Sequence, residues 1–353
     1  MKDNGRSSPF FVFSTGQLPR EAPRCSNNRV SVMGQLVDGQ WHAGWYDPDA
    51  RGAFKRPKTQ FRSWVGTEDF QAEAGRYHLY VSYACPWAHR TLIVRALRGL
   101  EDAIGVTVVD PKMSDDGWSF GGDGEVDPIC GAAFLRDVYT RAASRYTGRV
   151  TVPVLWDKKK NTIVNNESRD VIRMLDTAFG ALAKNPESLA PPELVEQVDA
   201  VLDDIYEPYN NGVYRAGFAT TQAAYEEACR DVFATLDRYE RILSGQRYLC
   251  GDRLTEADVA FFTTAIRFDT VYYAHFKCNI RRLQDYPNIW GFVRDIYQRP
   301  AVKPTCRLDQ IKTHYYWSQT TVNPYRIVPL GPSLDLETPH DRHRFVNSGE
   351  KLT

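Results

Sequence analysis

The 353-residue chain has seven cysteines but no C-x-x-C pair. Cys25, Cys85, Cys130, Cys229, Cys250, Cys278 and Cys306 are odd in number and widely spaced. That excludes the framework of a small disulfide-stapled secreted domain, and equally a cysteine-rich zinc site. Free thiols in a reducing compartment are expected, and no metal is called for. Long apolar runs are missing too: none approaches the ~20 residues of a membrane-spanning helix. Charge of one sign is not in excess, since Lys+Arg and Asp+Glu each total 44, so the basic surplus of a nucleic-acid binder is absent. The one cationic run, Lys158-Lys159-Lys160, precedes Asn161 between two apolar segments and reads as a solvated hairpin tip. The opening Met-Lys-Asp-Asn, with only a short patch at Phe10–Phe13, does not predict a secretory signal. A cytoplasmic location is expected, with an organelle transit peptide within residues 1–30 as the alternative.

Internal repeats and low-complexity tracts are also absent, and what remains divides by texture. Residues 1–70 are rich in Gly, Pro, Arg and aromatics without a sustained period, and read as an arm laid over the body. Residues 71–185 alternate strand-like and helix-like segments. Residues 186–330 run helix after helix. Residues 331–353 are polar and are expected to form a loose tail. In the alternating stretch, Tyr77–Val81 suits a strand. Ser82-Tyr83-Ala84-Cys85 then leads into a helix with Pro86 at its first position, where the missing N–H costs nothing. A valine-rich strand at 104–109, a helix within 132–143, a hairpin at 150–164 and a helix opening at Glu167-Ser168 follow. The order βαβα-ββα predicts an α/β thioredoxin-like domain, followed by an all-α domain. The clearest local signal in the second is Leu254-Thr255-Glu256-Ala257-Asp258-Val259, a capping box with a hydrophobic staple.

Cys85 is the candidate nucleophile. A thiol just ahead of a helix meets unpaired backbone N–H groups and the positive end of the helix dipole, which can lower its pKa from ~8.5 into the ~3.5–7.5 range. Position 88, where a dithiol protein carries its second cysteine, is alanine. A mixed disulfide on Cys85 therefore has to be released by an external thiol, for which glutathione is the obvious co-substrate. His89 lies one turn further on and reads as a packing residue, with an acid–base role as the alternative. Val152-Pro153 is a candidate cis bond that would leave the Val152 backbone free to pair with a peptide. Glu167 and Ser168 could hold the amino and carboxylate groups of a γ-glutamyl end, or could simply cap their helix.

Taken together, Cys-Pro-Trp-Ala-His-Arg (85–90), Val-Thr-Val-Pro-Val-Leu-Trp-Asp (150–157), Ile-Val-Asn-Asn-Glu-Ser (163–168) and Asn-Gly-Val-Tyr-Arg-Ala-Gly-Phe-Ala (211–219) form a recognisable set. With His314-Tyr315-Tyr316, Ile327-Val328-Pro329 and the Thr255–Asp258 cap, it resembles the glutathione transferase superfamily, and more narrowly the glutathionyl-hydroquinone reductases, its Xi class. The resemblance runs from about residue 40 to 332. It implies the glutathione transferase fold and reductive deglutathionylation of S-glutathionyl-hydroquinones through a Cys85–glutathione disulfide. It makes Val152 the backbone partner of glutathione, and Glu167 and Ser168 the γ-glutamyl holders. It adds Trp118 and Arg149 as glutathione contacts and puts Tyr214 and Tyr315 at the hydroquinone, with Tyr316 as the neighbour that could serve instead. It also implies a homodimer. An Omega-like thiol transferase or dehydroascorbate reductase, and a non-catalytic ligand-binding protein of the same fold, are the alternatives.

Overall fold

The computed structural model describes residues 33–121 and 125–345. Cys25, the Phe10–Phe13 patch, any transit segment within 1–30 and the last eight residues lie outside the described residues.

The described part of the arm begins with a hairpin, β1 (Gly34–Val37) and β2 (Gln40–Ala43), whose inner edge pairs with a short strand, β5 (Gly148–Arg149). The hairpin departs from the aperiodic reading of residues 1–70. Its signal is Asp38-Gly39, both at positive φ (50° and 78°), the two-residue turn that matches the twist of the flanking strands. From there the arm crosses both domains. Arg62 pairs with Asp170 at 2.6 Å, and Thr221 Oγ1 donates to Arg51 O at 2.8 Å.

The thioredoxin-like sheet has the order β4-β3-β6-β7. Its strands are β3 (Tyr77–Val81), β4 (Gly105–Val108), β6 (Val154–Asp157) and β7 (Thr162–Asn165). β3 runs parallel to β4 and antiparallel to β6. β3 and β6 are buried along their whole length, as central strands covered on both faces must be. Three helices belong to this domain: α1 (Pro86–Leu97), α2 (Leu135–Ala142) and α3 (Ser168–Asp176). At the hairpin tip Lys159 pairs with Glu73, and Lys160 with Asp69 at 2.6 Å, both on the surface.

The helical domain comprises α4 (Val195–Ile205), α5 (Gly212–Gly217), α6 (Gln222–Gly245), α7 (Glu256–Ala265), α8 (Pro287–Tyr297) and α9 (Leu308–Ser318). The capping box forms: Asp258 Oδ2 accepts from Thr255 N and Thr255 Oγ1, each at 2.7 Å, while Oδ1 accepts from Leu249 N. α7 packs on α1, so the second domain rests against the helix that carries Cys85 at its start.

The tail differs from expectation over residues 331–345. Leu336 and Arg342 are buried, and Trp290 Nε1 donates to Asp335 Oδ1 at 2.8 Å. Arg342 donates to Leu243 O (2.8 Å) and Arg247 O (2.9 Å) around the end of α6. Carbonyls at a helix C-terminus lack intrahelical donors, and a guanidinium satisfies them. A polar sequence is therefore held as a strap.

Candidate active site

Cys85 is the residue that caps α1, in extended conformation (φ −77°, ψ 121°), with Pro86 next. Its Sγ lies 3.6 Å from Val152 O, to which the thiol donates. Val152-Pro153 is cis. The direction of the thiol's pKa differs from the sequence expectation. Burial pushes it up, and the N–H groups of Ala88 and Trp87 with the charges of Arg267 and Arg56 only partly offset this. Desolvation outweighs the helix terminus.

Behind the Cys85 loop lies a fully buried arginine, Arg267. It donates from Nε to Ala84 O and from Nη2 to Tyr83 O, both at 2.8 Å. His89 is buried beside it and engaged on both ring nitrogens, by Arg267 at 3.1 Å and Thr305 Oγ1 at 2.8 Å. It is a packing residue.

Cys85 opens onto an apolar pocket of about 640 Å³. A more polar cleft of about 700 Å³ adjoins it. The two share walls, Tyr46, Arg56, Trp87, Thr151 and Val152. In the polar cleft Glu167 and Ser168 sit together at the start of α3. Glu167 accepts from Arg169 N at 3.4 Å and from Thr59 Oγ1 at 3.1 Å, while Ser168 Oγ lies 3.5 Å from Arg90 Nη1. Capping and cleft-lining are thus compatible for this pair. Arg149 lines the same cleft, and three of its five N–H donors go to the arm carbonyls of Gly34, Gly44 and Trp45 at 2.9–3.2 Å. The geometry makes it the arm's fastener at the wall of the cleft.

The apolar pocket holds Trp118, stacked on His314 at 4.6 Å, together with Tyr214 and Tyr315, whose hydroxyls hydrogen-bond each other. Burial raises both phenols well above their usual range, so they remain protonated donors at neutral pH. Tyr316 does not line this pocket: its hydroxyl donates to Thr270 O at 3.3 Å. Neighbours on a helix point about 100° apart, and here Tyr315 is the one turned inward. Among the described residues no group of acidic, histidine and cysteine side chains is arranged to hold a metal ion.

Comparison with known proteins identifies the family. The glutathione S-transferase N-terminal domain model matches residues 84–178, and the C-terminal domain model residues 222–295. The chain is 50% identical over 325 residues to the glutathionyl-hydroquinone reductase YqjG of Escherichia coli K12, covering 88% of this chain and 98% of that protein. It is 49% identical to the glutathionyl-hydroquinone reductase PcpF of Sphingobium chlorophenolicum, covering 86% and 98%. The Xi-class transferase of Natrialba magadii superposes with a TM-score of 0.84 at 50% identity, over 89% of this chain and 98% of that one. The glutathione-bound structure of YqjG does so with a TM-score of 0.80 at 49% identity, over 88% and 99%. The chain belongs to the Xi-class glutathione transferases.

Three residues of this Xi-class transferase's site went unseen in the sequence. Arg56, from the arm, lies between Trp87 and Tyr214, its guanidinium carbon 4.9 and 4.8 Å from their ring centres, and donates from Nε to Asn211 Oδ1 at 2.8 Å. Arg267 reaches the Cys85 loop from 183 residues away. Tyr272 adds a third hydroxyl, 3.1 Å from that of Tyr315, its phenol pushed up to about 12 by burial. It lies in a single π-helical turn, Phe268–Tyr272, a distortion frequent at functional sites. That turn is the only local signal any of the three could have offered, and it is not readable without the fold.

Proposed function

We propose that the chain catalyses the glutathione-dependent reduction of S-glutathionyl-hydroquinones to hydroquinone and oxidised glutathione. The observation that carries this is the position of Cys85, whose thiol opens onto an apolar pocket holding paired tyrosines and borders, through Val152, a polar cleft lined by Glu167 and Ser168. A conjugate lying across the shared wall would have its γ-glutamyl end at Glu167 and Ser168 and its ring at Tyr214 and Tyr315.

The Cys85 thiolate attacks the sulfur of the aryl thioether. An S–S bond forms to Cys85, the carbon–sulfur bond breaks, and its electron pair passes to the ring carbon, which takes a proton. A tyrosine hydroxyl supplies that proton or steadies the charge on the ring oxygen. A second glutathione thiolate then attacks the glutathione sulfur of the mixed disulfide, releasing oxidised glutathione and the Cys85 thiolate. The ring gains the two electrons that the two glutathiones lose, so no metal or redox cofactor enters the balance. With no second cysteine at position 88, the external thiol is required.

The reading includes cytosolic residence, in keeping with free thiols, and a homodimer. Exposed Tyr325, Ile327, Val328 and Leu330 form an apolar stretch that favours a partner copy. The test is release of free hydroquinone from a glutathionyl-hydroquinone in the presence of glutathione, for the native chain and Cys85→Ser. Rapid release lost in the variant is expected. No release by the native chain, with turnover of dehydroascorbate or a simple mixed disulfide, would transfer the assignment to the Omega-like activity.

A further inference from the structure

His314 opens the His-Tyr-Tyr segment, yet the mechanism above gives it nothing to do. Its ring lines the apolar pocket and is clamped face to face with Trp118, 4.6 Å between centres and 20° between planes. Nδ1 lies 2.9 Å from Pro111 O. A carbonyl oxygen only accepts, so the ring proton is on Nδ1, and the neutral imidazole carries its lone pair at Nε2. The same carbonyl accepts from Ser318 Oγ at 3.4 Å, which anchors it further. Burial pushes His314 down to about 4, so the ring is neutral near pH 7. Among the described residues Nε2 has no hydrogen-bond partner. Other polar groups at this end of the pocket are engaged: Tyr315 with Tyr214 and Tyr272, and Gln319 Oε1 with His275 Nε2 at 2.9 Å.

We propose that Nε2 of His314 accepts a hydrogen bond from a hydroxyl of the bound aromatic ring, so that the pocket selects conjugates carrying a free phenolic hydroxyl. The proposal rests on the hydroquinone reading above and adds a specificity-determining residue to it. The tyrosines donate and His314 accepts, a combination that suits a ring bearing both an oxygen acceptor and an O–H donor. A methyl ether of the same ring keeps the acceptor and loses the donor, so Nε2 gains no hydrogen bond from it.

The test compares equilibrium binding of hydroquinone and 1,4-dimethoxybenzene to the full chain, read by quenching of tryptophan fluorescence, in wild type, His314→Asn and His314→Gln. An Asn amide can still reach Pro111 O but places nothing where Nε2 was, whereas Gln returns a polar atom near that point. Wild type is expected to prefer hydroquinone by about tenfold. Asn should erase the preference and Gln should restore part of it. The Asn variant should also lose about tenfold in kcat/KM for the glutathionyl-hydroquinone while reacting with a glutathione mixed disulfide at Cys85 within about twofold of wild type. Equal binding of the two ligands by wild type, or an undiminished preference in the Asn variant, overturns the assignment. If the Asn variant does not fold, the wild-type comparison and the Gln variant decide it by the same criteria. A wild type that discriminates between the ligands but releases no hydroquinone from the conjugate would sink the reductase reading and leave the role of His314 standing.

Discussion

Arg267 Nη1 lies 3.1 Å from His89 Nδ1, with both side chains fully buried behind the Cys85 loop. A guanidinium only donates, so Nδ1 of His89 accepts and its Nε2–H donates to Thr305 Oγ1. Burial and the Arg267 charge hold the imidazole well below its ordinary pKa. His89 is thus a neutral spacer that supports Arg267, which in turn holds the carbonyls of Tyr83 and Ala84.

Arg267→Met should act on both the loop and the thiol. Three carbonyls and an imidazole nitrogen lose a donor, which costs about 3 kcal/mol or more in urea unfolding. The charge that draws the Cys85 pKa downward also disappears. The midpoint of the pH–rate profile for alkylation by iodoacetamide should move up. An unmoved midpoint would show that Arg267 serves the loop alone.

Among the described residues the buried Nη2 of Arg56 has no hydrogen-bond partner; the guanidinium lies beside the ring of Tyr214 and close enough to influence the Cys85 thiol. A cation so placed stabilises negative charge on the sulfur or on the departing hydroquinone oxygen. Arg56→Gln is expected to lower kcat/KM for a glutathionyl-hydroquinone by roughly tenfold or more. Steady-state kinetics within twofold of wild type would reduce it to a structural tie between the arm and Asn211.

The tyrosines separate by direction. Tyr214→Phe and Tyr315→Phe should each slow hydroquinone release while sparing the reaction of Cys85 with a simple disulfide. Their hydroxyls bond each other, so the double variant should fall short of the sum of the single losses. Tyr316→Phe should turn over normally, because its hydroxyl is spent on Thr270 O. Equal losses at 315 and 316 would contradict this geometry.

At the far end of the sheet Asp157 receives Arg76 Nε at 3.0 and 3.1 Å in a buried pair. Burial pushes the Asp157 carboxyl up, but Arg76 and the N–H groups of Lys160 and Lys159 outweigh it and hold it below the ordinary range. A depressed folded-state pKa gives stability that is present above the unfolded value, near 3.8, and lost as pH falls through the folded value. Asp157→Asn should cost about 3 kcal/mol at pH 7, because Arg76 loses its fully buried carboxylate and keeps only the more open Glu73, at 2.8 Å, as its ionic partner. The deficit should shrink below that value, where wild type is itself being protonated. Denaturant titrations at pH 7 and below pH 3.8 check this, and a pH-independent deficit would contradict it.

What could be read from the sequence was local. Cys85 before Pro86, the cis-prone Val152-Pro153 and the Thr255–Asp258 cap each announce themselves within a few residues. Arg56, Arg267 and Tyr272 act through partners far away in the chain, and nothing beside them differs from ordinary surface or core. Arg149 falls between these cases: it does reach the cleft, but the arm's carbonyls, unknown until folding, claim three of its five donors. The strap at 331–345 escaped because polar composition reads as solvation, while Arg342 is buried against carbonyls that only a finished helix end presents.

The arm has one more consequence. Tyr46, Arg56 and Thr59 wall the cleft from outside both stretches matched by the transferase domain models, the first of which begins at residue 84. A protein trimmed to those two modules would keep its nucleophile in half a socket. Engineers exchanging modules between transferases of this class would need to carry three pieces, and the one before residue 71 would move substrate preference without touching a single residue of the domains that give the family its name.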